Sequence, residues 1–219
     1  MQLPAMIVAK ENSPTFTPQE YFAWEEKQLE KHELIDGQVY PMGINAMTGG
    51  SKNHSLLAAR LITLFSNHLE GSSCETATSD LRINIVDTDN YTYPDASVTC
   101  DDRDKLTTQY ITYPCLIVEV LSPTTEAYDS PMETLRERGN KFRLYRRNPK
   151  LIDYLLVSST DIKIDLYHKN EKGDWLIINY QAGDTVELKS INLSFAVEGI
   201  YRSLNLTPET PTANQNHNT

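Results

Sequence analysis

Apolar residues recur along this chain with two periods, and the two periods divide it into helices and strands. In "HSLLAARLITLFSNHLE", Leu57, Leu61, Leu64, Phe65 and Leu69 fall three or four residues apart, the spacing of one helix face, from an N-terminus near His54. "FTPQEYFAWEEKQLEK" predicts an earlier helix, with a Thr cap, a Pro at its first position and Tyr21, Phe22, Trp24 and Leu29 as apolar contacts. Between the two, Glu33 to Met42 alternate around Asp36-Gly37, which predicts two short strands and a tight turn.

Beyond the second helix, period two dominates. "LRINIV" and "YTYPDASVTC" read as strands separated by the polar turn Asp87 to Asn90, with Asp95 projecting from the second. "CLIVEVL" is apolar on both alternating faces, as a doubly covered central strand should be, and ends at Ser122-Pro123. Residues 133–147 predict a helix packed through Leu135, Phe142 and Tyr145, weakened in its first half by Gly139. "IDYLLVSS" is the next strand, and "IKIDLYHK", "WLIINYQ" and "VELKSINLSF" predict an antiparallel extension of the same sheet. A polar lead-in (1–14), one domain (15–206) and a disordered tail rich in Pro, Thr and Asn (207–219) complete the division.

One residue breaks the pattern. Glu119 lies in the middle of the most apolar strand, and a buried ionised carboxylate costs several kcal/mol unless a cation, a metal or hydrogen bonds offset it. Asp95 comes from the neighbouring strand, and two carboxylates on adjacent strands can converge on one divalent ion such as Mg²⁺. The other reading leaves Asp95 in solvent and Glu119 paired with an arginine of the following helix. That helix is basic within an acidic chain, and its Lys141 borders the buried face beside Phe142 and Tyr145, from which it can reach toward Glu119.

Composition narrows the partners. A net charge of −10 argues against a protein that coats nucleic acid or anionic membrane through bulk charge, so a polyanion must meet a local basic patch or a metal. No stretch approaches the roughly 18 apolar residues of a membrane span. Cys74, Cys100 and Cys115 are odd in number and form no C-x-x-C, so neither a disulfide framework nor a zinc ribbon is expected, and a reducing cytoplasm is the default location. A phosphate-binding G-x-x-x-x-G-K-[ST] loop is absent from the sequence.

Pro-Asp, then an acid in a core strand, then a lysine is the order of the PD-(D/E)XK nuclease superfamily. Through "YPDASVTCD", "LIVEVLSPTTEAYD", "RGNKFRLYRR", "LIDYLLV" and "HELIDGQVYPM" followed by His54, the chain resembles the Uma family of restriction-endonuclease-like proteins over residues 17 to 200. The resemblance implies a mixed α/β fold with a central mixed sheet flanked by helices. It also implies Asp95 and Glu119 as ligands of Mg²⁺ or Mn²⁺, a lysine that assists the attacking water, DNA as substrate and a homodimer.

The superfamily pattern wants its lysine two residues after the strand acid, where this chain has Leu121; the resemblance moves that role to Lys141 on the following helix. Glu33 and His54 match further positions of the family pattern and are supporting candidates. Ser122, Asp129, Trp24, Tyr91 and Tyr93 are weaker ones, for which strand ending, solvent or packing is the plainer fate. The alternative function is a nuclease fold without catalysis, a module that binds nucleic acid or protein.

Overall fold

The computed structural model describes residues 15–42, 51–121 and 141–206. Helix α1 (Pro18–Glu25) starts as the sequence predicts: Thr17 and Glu20 form a reciprocal capping box and Pro18 occupies the first turn. It ends earlier than expected, and Leu29 lies beyond it, fully exposed instead of packed. Strands β1 (His32–Ile35) and β2 (Gln38–Pro41) form the expected hairpin, with Asp36 and Gly37 both at positive φ, 50° and 76°, as its two-residue turn demands. Helix α2 (Lys52–His68) opens on Ser51, whose hydroxyl accepts from His54 N–H.

Two larger sheets complete the frame. The first has the order β2-β1-β5-β4-β7, where β4 is Arg82–Asn84, β5 Tyr91–Thr92 and β7 Tyr110–Ile111. The second and principal sheet has six strands in the order β11-β10-β9-β8-β6-β3. Its members are β3 (Glu75–Thr78), β6 (Ala96–Thr99), β8 (Pro114–Leu121), β9 (Asp153–Ser158), β10 (Lys163–Lys169) and β11 (Trp175–Gln181). β8 and β9 run parallel while its other neighbours pair antiparallel, so the sheet is mixed. A short 3₁₀ helix, Asp102–Leu106, precedes β7; helix α3 is described over 141–145, and helix α4 (Val197–Tyr201) lies near the end of the described chain.

The middle of the principal sheet is covered on both faces, as the apolar run in β8 requires. Leu116, Val118 and Val120 join Leu57, Leu61 and Phe65 of α2 in one core, while Ile117 and Leu121 join Tyr145, Tyr154 and Leu156 in another. Alternation therefore aims Glu119 at the second face, with Ile117 and Leu121.

Three expectations are corrected. "YTYPDASVTC" is two strands in two different sheets, and Asp95 sits in the bend between them, because Pro94 offers no N–H to continue a ladder. "VELKSINLSF" does not extend the sheet; it folds into a separate hairpin of β12 (Thr185–Leu188) and β13 (Leu193–Ala196), its turn marked by Asn192 at φ 51°. Finally, Cys74 and Cys100 form a disulfide with a Cα–Cα distance of 4.1 Å. The short strand β3 explains it: Glu75 pairs with Thr99, so the residues flanking that pair, 74 and 100, face each other. The inference of a reducing compartment rests on unpaired cysteines and loses that support. The lead-in, the tail, residues 133–140 of the predicted helix, Ser122 and Asp129 lie outside the described residues.

Candidate active site

The C-terminal end of β8 collects the charged groups. In the β6–β8 ladder Ala96 pairs with Val118, and continuing that register by one residue sets Asp95 opposite Glu119. Asp95 is held there by the backbone: Val120 N–H donates to its Oδ2 at 2.7 Å. From the first turn of α2, His54 brings Nε2 to 3.3 Å from the same oxygen. From β1, Glu33 accepts from Tyr93 N–H through Oε1 at 3.2 Å.

Lys141 ties the far side together. Its Nζ lies 3.1 Å from Glu33 Oε1 and 3.2 Å from Glu119 Oε1, so the helix lysine does reach over the sheet although position 121 is Leu. Tyr145 lies one turn later on α3 and donates its hydroxyl to the same Glu119 oxygen at 3.2 Å, while Thr92 Oγ1 stands 3.0 Å from that hydroxyl. Sequence reasoning finds in Tyr145 a packing residue alone. Its place four residues after Lys141, on the same helix face, is the signal that could have found it.

All five residues singled out from the sequence thus stand in one place: Glu33, Lys141 and Glu119 in one chain of contacts, Asp95 and His54 in the next. Trp24, Tyr91 and Tyr93 do not join them as stacking surfaces. Trp24 packs against Phe16 and His32, and Tyr91 and Tyr93 are buried.

The electrostatics are unbalanced. Three carboxylates meet one ammonium and one imidazole, all in side chains less than a quarter exposed. The Glu119 carboxyl is pushed up to about 7: burial raises it most, Lys141 pulls against that, and Asp95 and Glu33 add to the rise. Burial opposes the charge of Lys141, but Glu119 and Glu33 outweigh it and hold the ammonium well above its ordinary range. His54 behaves likewise: burial lowers it, and Asp95 with Glu119 more than restores it.

Among the described residues, no group of three or more His, Cys, Asp or Glu side chains is placed to hold a metal ion. The donors do fit an ion that relies less on protein. Mg²⁺ is commonly held by one or two carboxylates together with water and substrate phosphate, and Asp95 and Glu119 are such a pair of hard oxygen donors facing a surplus of negative charge. The described hydrogen bonds to the pair go to Asp95 Oδ2 and Glu119 Oε1. Beside Asp95 and His54 a groove of about 470 Å³ runs along Ala58, Ala59 and Ile62 of α2 toward Thr78 and Ser79.

Residues 18–198 match the pattern of the Uma2 family, described as "Putative restriction endonuclease". The chain belongs to the Uma2 family. Among its relatives, the Synechocystis sp. protein slr1290 is 64% identical over 191 residues, covering 87% of this chain and 94% of that protein. A second protein of the same organism, sll1609, is 31% identical over 187 residues, covering 84% and 96%. Both are described only as uncharacterized. A solved structure from Anabaena variabilis, described as a "putative nuclease belonging to DUF820", superposes with a TM-score of 0.64 at 14% identity, covering 85% of this chain and 97% of that one. At that identity the likeness speaks for the fold, which is the mixed α/β architecture expected of a restriction-endonuclease-like protein. Membership of a family described as "Putative restriction endonuclease" supports a nuclease.

Proposed function

We propose that this Uma2 protein is a Mg²⁺- or Mn²⁺-dependent endonuclease that hydrolyses phosphodiester bonds of DNA, with Asp95 and Glu119 as metal ligands and Lys141 as the cation at the scissile phosphate. The observation that carries this reading is Lys141 Nζ at 3.2 Å from Glu119, on a helix, in a chain whose usual lysine position is Leu121.

Asp95 and Glu119 would hold the divalent ion, which when bound would supply positive charge to phosphate and lower the pKa of water. The remaining work falls to side chains. Lys141 is a compact point charge fixed from two sides by Glu33 and Glu119, so it meets the negative charge that develops on phosphate without reorganising. Glu33 orients that ammonium and is itself fixed by Tyr93 N–H. Val120 N–H and His54 hold Asp95 in place, and Asp95 and Glu119 favour the protonated form of His54 beside the groove. The strand flanking the scissile phosphate lies in that groove, whose Ala58, Ala59 and Ser55 are small enough to admit it. A homodimer matches the two strands of a duplex with a two-fold axis.

Plasmid incubated with the full chain and Mg²⁺ or Mn²⁺ tests the reading. Nicked or linear product that disappears on adding EDTA is expected. Intact supercoiled plasmid with both metals, over a range of pH and salt, contradicts it.

A further inference from the structure

The described surface holds exposed large aliphatic residues of two kinds. Leu29 and Leu106 stand singly, which needs no explanation, but Leu176, Ile177 and Ile178 are consecutive on β11, 47%, 61% and 36% exposed. β11 is the outermost strand of the principal sheet: β10 pairs with one side of it, and among the described residues no strand pairs with the other.

Natural sheet edges are guarded by charge, proline, bulges or brevity. β11 has none of these. Its seven residues, "WLIINYQ", include no charge and no proline, and its ladder with β10 runs without a register shift through seven pairs. The opposite edge differs on each count that applies: β3 has four residues, opens on Glu75 and lies against α2.

We propose that β11 is the homodimer interface, joining two copies edge to edge by antiparallel β11–β11 pairing into one continuous twelve-stranded sheet. A second copy of this chain is the occupant that the strand's chemistry selects. An antiparallel two-fold pairing centred on Ile178 sets that residue opposite itself, Ile177 opposite Asn179 and Leu176 opposite Tyr180, so each copy supplies what the other lacks. Leu176 and Ile178 lie on one face and Ile177 on the other, and on each face the partner strand supplies a cross-strand neighbour. The charge also favours self-association here: in a chain of net charge −10, this strand contributes none, so two copies meet without opposing carboxylates. The same neutrality gives β11 no cationic side chain for phosphate.

The interface adjoins the site. Trp175, the first residue of β11, contacts Phe142 edge-on at 5.0 Å, and Phe142 comes directly after Lys141 on α3. A partner strand therefore lies one aromatic pair away from the helix that carries the site lysine.

The proposal rests on the homodimer put forward above but not on hydrolysis, and light scattering on the full chain separates the two parts. The parent should elute with twice the 24.9 kDa chain mass at micromolar concentration, and Ile177→Lys should elute as a monomer that keeps the far-UV spectrum of a folded chain and a cooperative melt, at a lower temperature than the dimer. Ile178→Cys, in a chain otherwise unaltered, should cross-link to a covalent dimer under mild oxidation and return to single chains in reductant, while the parent does not. This second variant decides the matter should Ile177→Lys misfold. A monomeric parent overturns the dimer and its interface together. A dimeric parent that survives Ile177→Lys, or whose Ile178→Cys form does not cross-link, overturns the β11 assignment alone.

Discussion

Two acids on adjacent parallel strands, Asp153 on β9 and Glu119 on β8, are placed very differently. Asp153 lies at the start of its strand, wholly buried, and the protein answers it fully: His168 Nδ1 stands 2.8 Å from one oxygen, and Ser190 N–H donates to the other at 2.8 Å. Glu119 lies near the end of its strand, at the opposite end of the pair. There, too, a cation and a hydroxyl are supplied, by Lys141 and Tyr145, but two further carboxylates crowd in and the site keeps a negative surplus. One acid is part of a closed structural pair. The other is one of three that share a single ammonium and a single imidazole, the arrangement expected where a metal and a phosphate are to be received.

Removing the cation at the Glu119 end should produce the largest effect. Lys141→Ala is expected to lower plasmid cleavage about a thousandfold, the upper end of what one preorganised electrostatic contact contributes, while metal binding persists. Equal cleavage by mutant and parent, in a gel assay at matched concentration, removes lysine from the mechanism. At the other end the signature reverses. Asp153→Asn should cost about 3 kcal/mol in urea unfolding, since it breaks a buried pair, and leave cleavage by the folded protein unchanged. Lost activity at full stability would erase the contrast between the two acids.

The contrast also has a pH signature. In the metal-free folded protein burial and the neighbouring carboxylates push Glu119 up to about 7 from its ordinary 4.5, so the folded state binds more protons than the unfolded one between those values. This contribution to stability is fully present below about 4.5 and is lost as pH rises through about 7. Glu119→Gln should therefore flatten the fall in melting temperature from pH 5 to pH 8 and stabilise the metal-free protein at pH 8, by on the order of 1–3 kcal/mol at about 1.4 kcal/mol per pKa unit. An unchanged slope in scanning calorimetry would show that Glu119 ionises as an ordinary surface acid. Smallest is Tyr145→Phe, which deletes one hydroxyl between Glu119 and Thr92. About 1 kcal/mol of stability and a several-fold drop in cleavage are expected, and no change in either would show that the hydroxyl does not hold Glu119.

How much of the molecule is legible in the sequence depends on how far each signal reaches. The alternation in β8 and the apolar face of α2 are local, and so is the anomaly of Glu119 within them. The order of Asp95, Glu119 and Lys141 is enough to associate them, although Lys141 meets Glu119 across 22 residues of chain. β3 escapes because "ETAT" is short and half polar, and without β3 nothing in the spacing of Cys74 and Cys100 marks them as partners. Alternation continues through "YTYPDASVTC" and so suggests a strand around Asp95; that Pro94 hands the chain from one sheet to another is decided by tertiary pairing. The hydroxyl of Tyr145 is hidden for a related reason: a buried tyrosine reads as apolar area until the carboxylate above it is located.

If Glu119 is kept for a metal ion and not for the fold, its charge must be needed for both binding and cleavage. Isothermal titration of Mn²⁺ into the parent and into Glu119→Gln, with plasmid cleavage measured in the same buffers, is the decisive experiment. Saturable binding and cleavage by the parent are expected, both lost in Glu119→Gln while the protein stays folded. Binding and cleavage undiminished by that substitution, or a parent that neither binds Mn²⁺ nor cleaves, would contradict the assignment.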